Sequence, residues 1–250
     1  MPKMKRKGAG KLAVRNAAKT LLANIRFASV DKPIRTLTVT SSTPNEGKST
    51  VAKAIATSGA TVLLVECDMR RRSQAEMIGV HSLGGVYSVL SGQMTVDEAV
   101  VEVSQNLYFL DSEPNIPNPA DIIASHRFSK LVSTLESKYR YVIFDTPPVG
   151  TFVDAAEVGR LTDGVIFVVR ENFTKRNEVL AAFDQLRKAE VNIIGSVITL
   201  ITMKVVRKFE LLMATECTIR TVTRATLPPF PLSGAPVYRI PTRMLKQLSS

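Results

Sequence analysis

Between Arg35 and Thr199 the chain alternates short, almost continuously apolar runs with segments of helical length, and this alternation limits the possible folds more than any other feature. The runs are Thr36–Ser41, Val62–Glu66, Leu107–Asp111, Tyr141–Asp145, Val165–Arg170 and Ile193–Thr199. A strand with one wet face alternates apolar and polar residues, whereas a continuous run signals burial on both faces, as in a parallel sheet. The intervening segments Lys48–Ser58, Pro119–Ser137, Asp154–Leu161 and Lys175–Ala189 read as helices, and Val179, Phe183 and Leu186 recur at helical spacing in the last. The pattern predicts an α/β fold: a doubly wound, mainly parallel sheet with helices on both faces. Such sheets bind ligands beyond the carboxyl ends of their strands.

The two ends differ from this middle. Residues 1–30 hold eight Lys and Arg and no acid, and within them N-A-A-K-T-L-L-A-N-I-R-F-A reads as an amphipathic helix leading to the first strand. Residues 199–250 carry a net +6 and a proline-containing stretch, L-P-P-F-P-L-S-G-A-P, while residues 31–198 are mildly acidic at −3. We therefore expect a basic helical extension over 1–30, an α/β domain over 31–199 and an atypical basic, proline-containing tail over 200–250. Basic ends suit an anionic membrane face, an acidic protein or simple solvation. Nucleic acid is not an expected partner, because no basic stripe is interleaved with aromatic residues. No run approaches the ~20 apolar residues of a membrane span, and the basic N-terminus lacks the apolar stretch of a secretory signal. Cys67 and Cys217 form no C-x-x-C pair, so a disulfide framework or zinc site is not expected and a reducing cytoplasm is the expected setting.

The stretch S-S-T-P-N-E-G-K-S-T, Ser41 to Thr50, follows the first strand and opens the first long helix. A phosphate cradle needs small residues, because its backbone must curl and aim N–H groups at the anion from a helix N-terminus. Ser42-x4-Gly47-Lys48-Ser49 meets that pattern, with serine at the usual first glycine. Ser42, Thr43, Pro44, Asn45, Glu46, Gly47, Lys48, Ser49 and Thr50 are the candidate nucleotide contacts. Lys48 would reach the β- and γ-phosphates, Ser49 would offer its hydroxyl to Mg²⁺, and Thr50 would meet the α-phosphate. Two further strands end in carboxylates, at Glu66 with Asp68 and at Asp145, where a metal and its waters or an attacking group are held.

Together these stretches resemble the bacterial tyrosine kinases of capsule and exopolysaccharide synthesis, P-loop ATPases of the same broad class as cell-division and plasmid-partition ATPases. T-P-N-E-G-K-S-T is similar to the kinase form of the loop, V-E-C-D-M-R-R-R to the family's second motif and F-D-T-P-P to its third. I-P-N-P-A-D-I-I-A-S (116–125) and F-V-D-A-A-E-V-G-R-L-T-D-G-V-I-F-V-V-R add to the resemblance, which runs from about Ala17 to Ile198. The partition and division branch carries a signature lysine where this chain has Thr43. The resemblance implies ATP and Mg²⁺ as cofactors and an ATP-dependent protein-tyrosine autokinase regulating capsular or exopolysaccharide synthesis and export. Its catalytic residues would be Lys48, Asp68, Asp145 and Arg70. Asp68 would orient or deprotonate the attacking tyrosine, and Ser49, Asp68 and Asp145 would serve the metal. Arg70 would neutralise phosphate or order the loop. The resemblance also implies a membrane-anchored polysaccharide chain-length or activator protein as partner, and a place at the inner face of the membrane.

Several positions depart from the family. Glu66 replaces an aspartate, and the segment from Lys48 to Asp68 is about four residues shorter, roughly one helical turn. The family's self-association helix carries Glu and two Arg where this chain has Asn16, Lys19 and Leu22, so the homo-oligomer interface motif is not matched. Thr199 stands where an asparagine often recognises the base, and the last fifty residues contain one tyrosine, Tyr238. We read the sequence beyond Thr199 as divergent, by frameshift or at the gene end; absence of a tyrosine-rich tail from the other frames of the coding DNA would rule out the frameshift. Two alternatives follow from these departures: a partition-type ATPase switch, or a paralogue that binds nucleotide without kinase activity.

Overall fold

The structure, a computed structural model, describes residues 16–26, 33–58, 60–80, 82–202 and 216–221. The basic segment 1–15, His81, Tyr238 and most of the tail lie outside the described residues. In chain order the elements are α1 (16–26), β1 (Thr36–Ser41), α2 (Lys48–Ala56), β2 (Val62–Glu66), α3 (Ser73–Ile78), α4 (Val86–Ser91) and α5 (Val96–Ala99). They continue with β3 (Val100–Ser104), β4 (Leu107–Leu110), α6 (Pro119–Ile123), α7 (His126–Lys138), β5 (Tyr141–Asp145) and α8 (Asp154–Leu161). β6 (Gly164–Arg170), α9 (Arg176–Lys188), β7 (Ile193–Thr202) and β8 (Glu216–Thr221) complete the described chain.

The strands form one sheet in the order β3-β4-β2-β5-β1-β6-β7-β8. Its six inner strands run parallel, and β3 and β8 pair antiparallel at the edges. The apolar runs are continuous because both faces are covered. Val62, Leu64 and Ile143 join a core with α1 and α2, while their neighbours Leu63, Val65, Val142 and Phe144 join one with α7. On β6, Ile166 and Val168 face the first core and Val165 and Phe167 pack with Leu186 of α9. Phe183, expected to cover the sheet, meets Phe167 edge-on at 5.9 Å.

The shortened α2 keeps its apolar face in phase, with Val51, Ala52 and Ile55 fully buried. On α1, Ala18, Leu21, Leu22 and Ile25 follow the i, i+3, i+4, i+7 spacing of a helix laid on a core. Leu22 is therefore a core residue here, where the family has an interface arginine.

Three expectations change. The helix expected over Pro119–Ser137 is two helices, because Ser125 accepts a hydrogen bond from the Phe128 N–H and caps a new start. The strand expected to end at Thr199 continues to Thr202 and pairs with β8. The excursion between β2 and β4 contains α3, α4, α5 and β3, none of them foreseen.

Candidate active site

The site lies at the carboxyl edge of the sheet, where the chain leaves β1, β2 and β5. After β1 the loop turns through Asn45 (φ 66°) and Gly47 (φ 92°), the second in a left-handed region that glycine enters without steric cost. α2 then opens at Lys48 with no side-chain cap. The first N–H groups of a helix have no intrahelical acceptor, so this end offers donors to an anion. Gly150 completes the cradle from behind. A Cβ there would come within 2.3 Å of the Ser42 carbonyl oxygen, so the β5–α8 loop can lie against the phosphate loop only with glycine at this position.

The register of the sheet brings the acids together. Glu66 and Asp145 are direct partners on neighbouring strands, and Asp68, two residues beyond Glu66, returns toward the same side. The Lys48 ammonium lies 3.0 Å from Asp68 Oδ2 and 3.8 Å from Asp145 Oδ1, with all three side chains nearly excluded from solvent. Burial alone would lower the Lys48 pKa, but the Asp145 and Asp68 charges outweigh it and hold it above its ordinary value. Asp145 is raised, chiefly by desolvation, which Lys48 only partly offsets. Glu66 is pushed well above the usual carboxylate range by desolvation and by the Asp145 charge beside it.

Glu66 is engaged with the backbone rather than in a hydrogen bond to Lys48. Its two oxygens accept the backbone N–H groups of Asp68 (3.2 Å) and Gln74 (2.8 Å), so it holds the turn that presents Asp68. Cys67, between the two acids, points into the opposite core as a free, fully buried thiol.

The other candidates divide. Lys48, Ser49, Asp68 and Asp145 converge, and Thr50 follows them in the first turn of α2. Glu46 turns inward: its carboxylate accepts from the Thr43 N–H (2.7 Å) and the Thr174 hydroxyl (2.6 Å), so its side chain holds the loop from within. Thr43 meets the Thr174 hydroxyl at 3.2 Å, Pro44 is exposed, and Asn45 accepts from Arg71 at 3.0 Å. The Ser42 hydroxyl is buried with no hydrogen-bond partner among the described residues.

Arg70 lies on the β5–α8 side of the site. Its guanidinium pairs with Asp154 Oδ1 at 2.6 Å and lies 4.1 Å from the centre of the Phe152 ring, ordering the loop into α8. Thr199, at the base-reading position of the family, instead donates to the Glu46 carbonyl at 2.7 Å and braces the loop. Sequence reasoning missed Gln74 and Gly150, since neither belongs to a local phosphate motif.

The donor set fits a nucleotide with a divalent ion. Asp145 Oδ1 is buried without a hydrogen-bond donor, and the Ser49 hydroxyl, bonded to Ser73 Oγ at 2.9 Å, lies beside the Lys48 ammonium at 3.4 Å. Among the described residues no group of three or more His, Cys, Asp and Glu side chains is arranged to hold a metal. Mg²⁺ is usually bound through one or two protein oxygens together with phosphates and retained water, and the Asp145 carboxylate and Ser49 hydroxyl are oxygens of that kind.

Fold and loop define a P-loop protein of the doubly wound α/β class. No family model matches the chain. It is 32% identical over 184 residues to the tyrosine-protein kinase YwqD of Bacillus subtilis, covering 72% of this chain and 78% of that one. It is 30% identical over 189 residues to the tyrosine-protein kinase CpsD of Streptococcus agalactiae serotype III, covering 73% and 79%. The crystal structure of the chimerical protein CapA2B2 superposes with a TM-score of 0.69 at 31% identity, over 72% of this chain and 82% of that one. The chain belongs to the bacterial tyrosine-protein kinase family.

Proposed function

We propose that the chain binds ATP with Mg²⁺ on the Ser42–Thr50 loop and transfers the γ-phosphoryl group to tyrosine hydroxyls, regulating capsular or exopolysaccharide synthesis and export. The observation that supports this most is the convergence of Lys48, Asp68 and Asp145 at the opening of α2. Phosphates settling on the helix N-terminus would draw the Lys48 ammonium off Asp68. That exchange would free Asp68 Oδ2 to take the tyrosine proton, while Oδ1 stays fixed by the Arg71 N–H at 3.2 Å. The tyrosine oxygen bonds to the γ-phosphorus as the bond to the β-γ bridging oxygen breaks, and ADP departs. The metal, when bound, neutralises charge on the phosphate oxygens. Ser49 and, through water, Asp145 would hold it, and Arg70 would keep the β5–α8 loop in place. Asp68 would also assist the metal.

A membrane-anchored chain-length or activator protein is the proposed partner, with the basic ends favouring a place at the inner face of the membrane. Among the described residues no helix is long and apolar enough to cross a membrane. Self-association would use a surface other than the family's front-helix motif, since Leu22 is buried.

Incubation with γ-labelled ATP and Mg²⁺, beside a Lys48→Met control, tests the reading. Phosphotyrosine that disappears in the variant supports it. ATP hydrolysis without phosphotyrosine would make the protein a switch, and binding without turnover would make it an inactive paralogue.

A further inference from the structure

We infer that Gln74 is a positioning residue for the metal in phosphoryl transfer: its amide ties Asp145 to Ser49, and its carbonyl serves as an acceptor for metal-bound water. The inference rests on reading the Lys48–Ser49 loop as the nucleotide and metal site.

Gln74 is the second residue of α3 and is completely buried. Its Nε2 donates to Asp145 Oδ2 at 2.8 Å and to the Ser49 main-chain oxygen at 2.9 Å. Both partners are pure acceptors, so the NH₂ group must face them and the opposite amide orientation would set oxygen against oxygen. One side chain therefore joins the end of β5 to the first turn of α2, and its own N–H is anchored on Glu66 at 2.8 Å. With Oδ2 of Asp145 occupied by Gln74, Oδ1 is left for the Lys48 side of the site.

The remaining polar atom, Gln74 Oε1, is buried and has no hydrogen-bond partner among the described residues, while Asp145 Oδ1 accepts no hydrogen bond and faces the Lys48 ammonium at 3.8 Å. Buried acceptors are seldom left unpaired, and one on a side chain bonded to both Asp145 and the Ser49 main chain suggests a donor from outside the chain. A magnesium ion retains several waters whose hydrogens need such acceptors. Residues in this position orient the direct ligands, and their loss typically weakens metal affinity roughly 10- to 100-fold.

The test measures binding of a fluorescent ADP analogue as Mg²⁺ is titrated, in wild type, Lys48→Met and Gln74→Leu. Leucine keeps most of the volume and removes the hydrogen bonds. In Gln74→Leu the Mg²⁺ concentration for half-maximal binding is expected to rise at least about tenfold, while nucleotide binding in excess EDTA stays at the wild-type level. Gln74→Met, similar in volume, gives the same reading if the leucine variant does not fold. An unchanged Mg²⁺ dependence, an equal loss with and without the metal, or failure of both variants to fold would each overturn the inference. Absence of nucleotide binding in the wild type, or equal binding in Lys48→Met, would instead remove the site reading beneath it.

Discussion

Replacing Gly150 with alanine should uncouple the phosphate loop from the strand that carries Asp145. The added Cβ would sit 2.3 Å from the Ser42 carbonyl oxygen and 3.6 Å from the Ala182 methyl. An ordinary carbon–oxygen contact is about 3.3 Å, so one backbone must retreat by roughly 1 Å. Neither is free to do so alone. The Val149 N–H is bonded to the Ser41 carbonyl at 2.9 Å, and the Thr40 hydroxyl to the Pro147 carbonyl at 2.9 Å. The displacement therefore reaches Lys48 and Asp145. Overpacking of this kind costs about 1–3 kcal/mol, and a 1 Å misplacement of reacting groups costs about 10²-fold in rate. Gly92→Ala is the control. Its Cβ would meet nothing within 4 Å, and only its φ of +79° is unfavourable. It should cost about 1–2 kcal/mol and leave the rate alone. Phosphotyrosine formation under saturating ATP and thermal unfolding of both variants give the comparison. A Gly150→Ala enzyme as fast as Gly92→Ala would show that the contact with the Ser42 carbonyl does not hold the two loops in register.

Two other predictions concern the surroundings of the site. Arg70→Ala leaves Asp154, whose side chain is 1% exposed, without its partner, while the arginine itself was 28% exposed; we expect a loss of about 1–3 kcal/mol, largely recovered by Asp154→Asn. Urea denaturation of the four-member cycle checks this, and simple additivity would contradict it. Glu113 accepts the backbone N–H groups of Gly85, Tyr87 and Ser88 at 2.6–2.9 Å. Partial burial raises its pKa, but hydrogen bonding to the Ser88 side chain and to these backbone groups outweighs that and leaves it lowered from 4.5. A depressed carboxylate contributes stability above its unfolded pKa and loses it as pH falls through the folded one. Glu113→Gln should therefore be less stable than wild type above about pH 4.5 and converge with it below. A constant difference throughout an acid titration would show that the charge plays no part.

Much of the fold is legible in the sequence because burial on both faces turns the inner strands into unbroken apolar runs, as in Val62–Val65 and Val165–Val168. The phosphate loop is legible because its curl is local and needs Gly47, Lys48 and Ser49 in succession. Elements of four to six residues, such as α3, α5 and β3, are too short to display a period. Gln74 and Gly150 escape notice for a different reason. Gln74 matters through Asp145, 71 residues away, and Gly150 through the Ser42 carbonyl, contacts that exist only once the sheet register is set. Arg70 is legible as part of a motif, but its partners Asp154 and Phe152, 84 and 82 residues on, are not.

The central claim is that this carboxyl edge moves phosphate from ATP to tyrosine with Asp68 taking the proton. Single-turnover transfer from γ-labelled ATP, compared between wild type and Asp68→Asn with nucleotide binding measured in parallel, addresses it most directly. Label on tyrosine is expected in the wild type, with a loss of at least about 10²-fold in the variant and nucleotide still bound. Label released only as inorganic phosphate by the wild type would mean that tyrosine is not the acceptor, and an Asp68→Asn rate equal to wild type would mean that Asp68 does not take the proton.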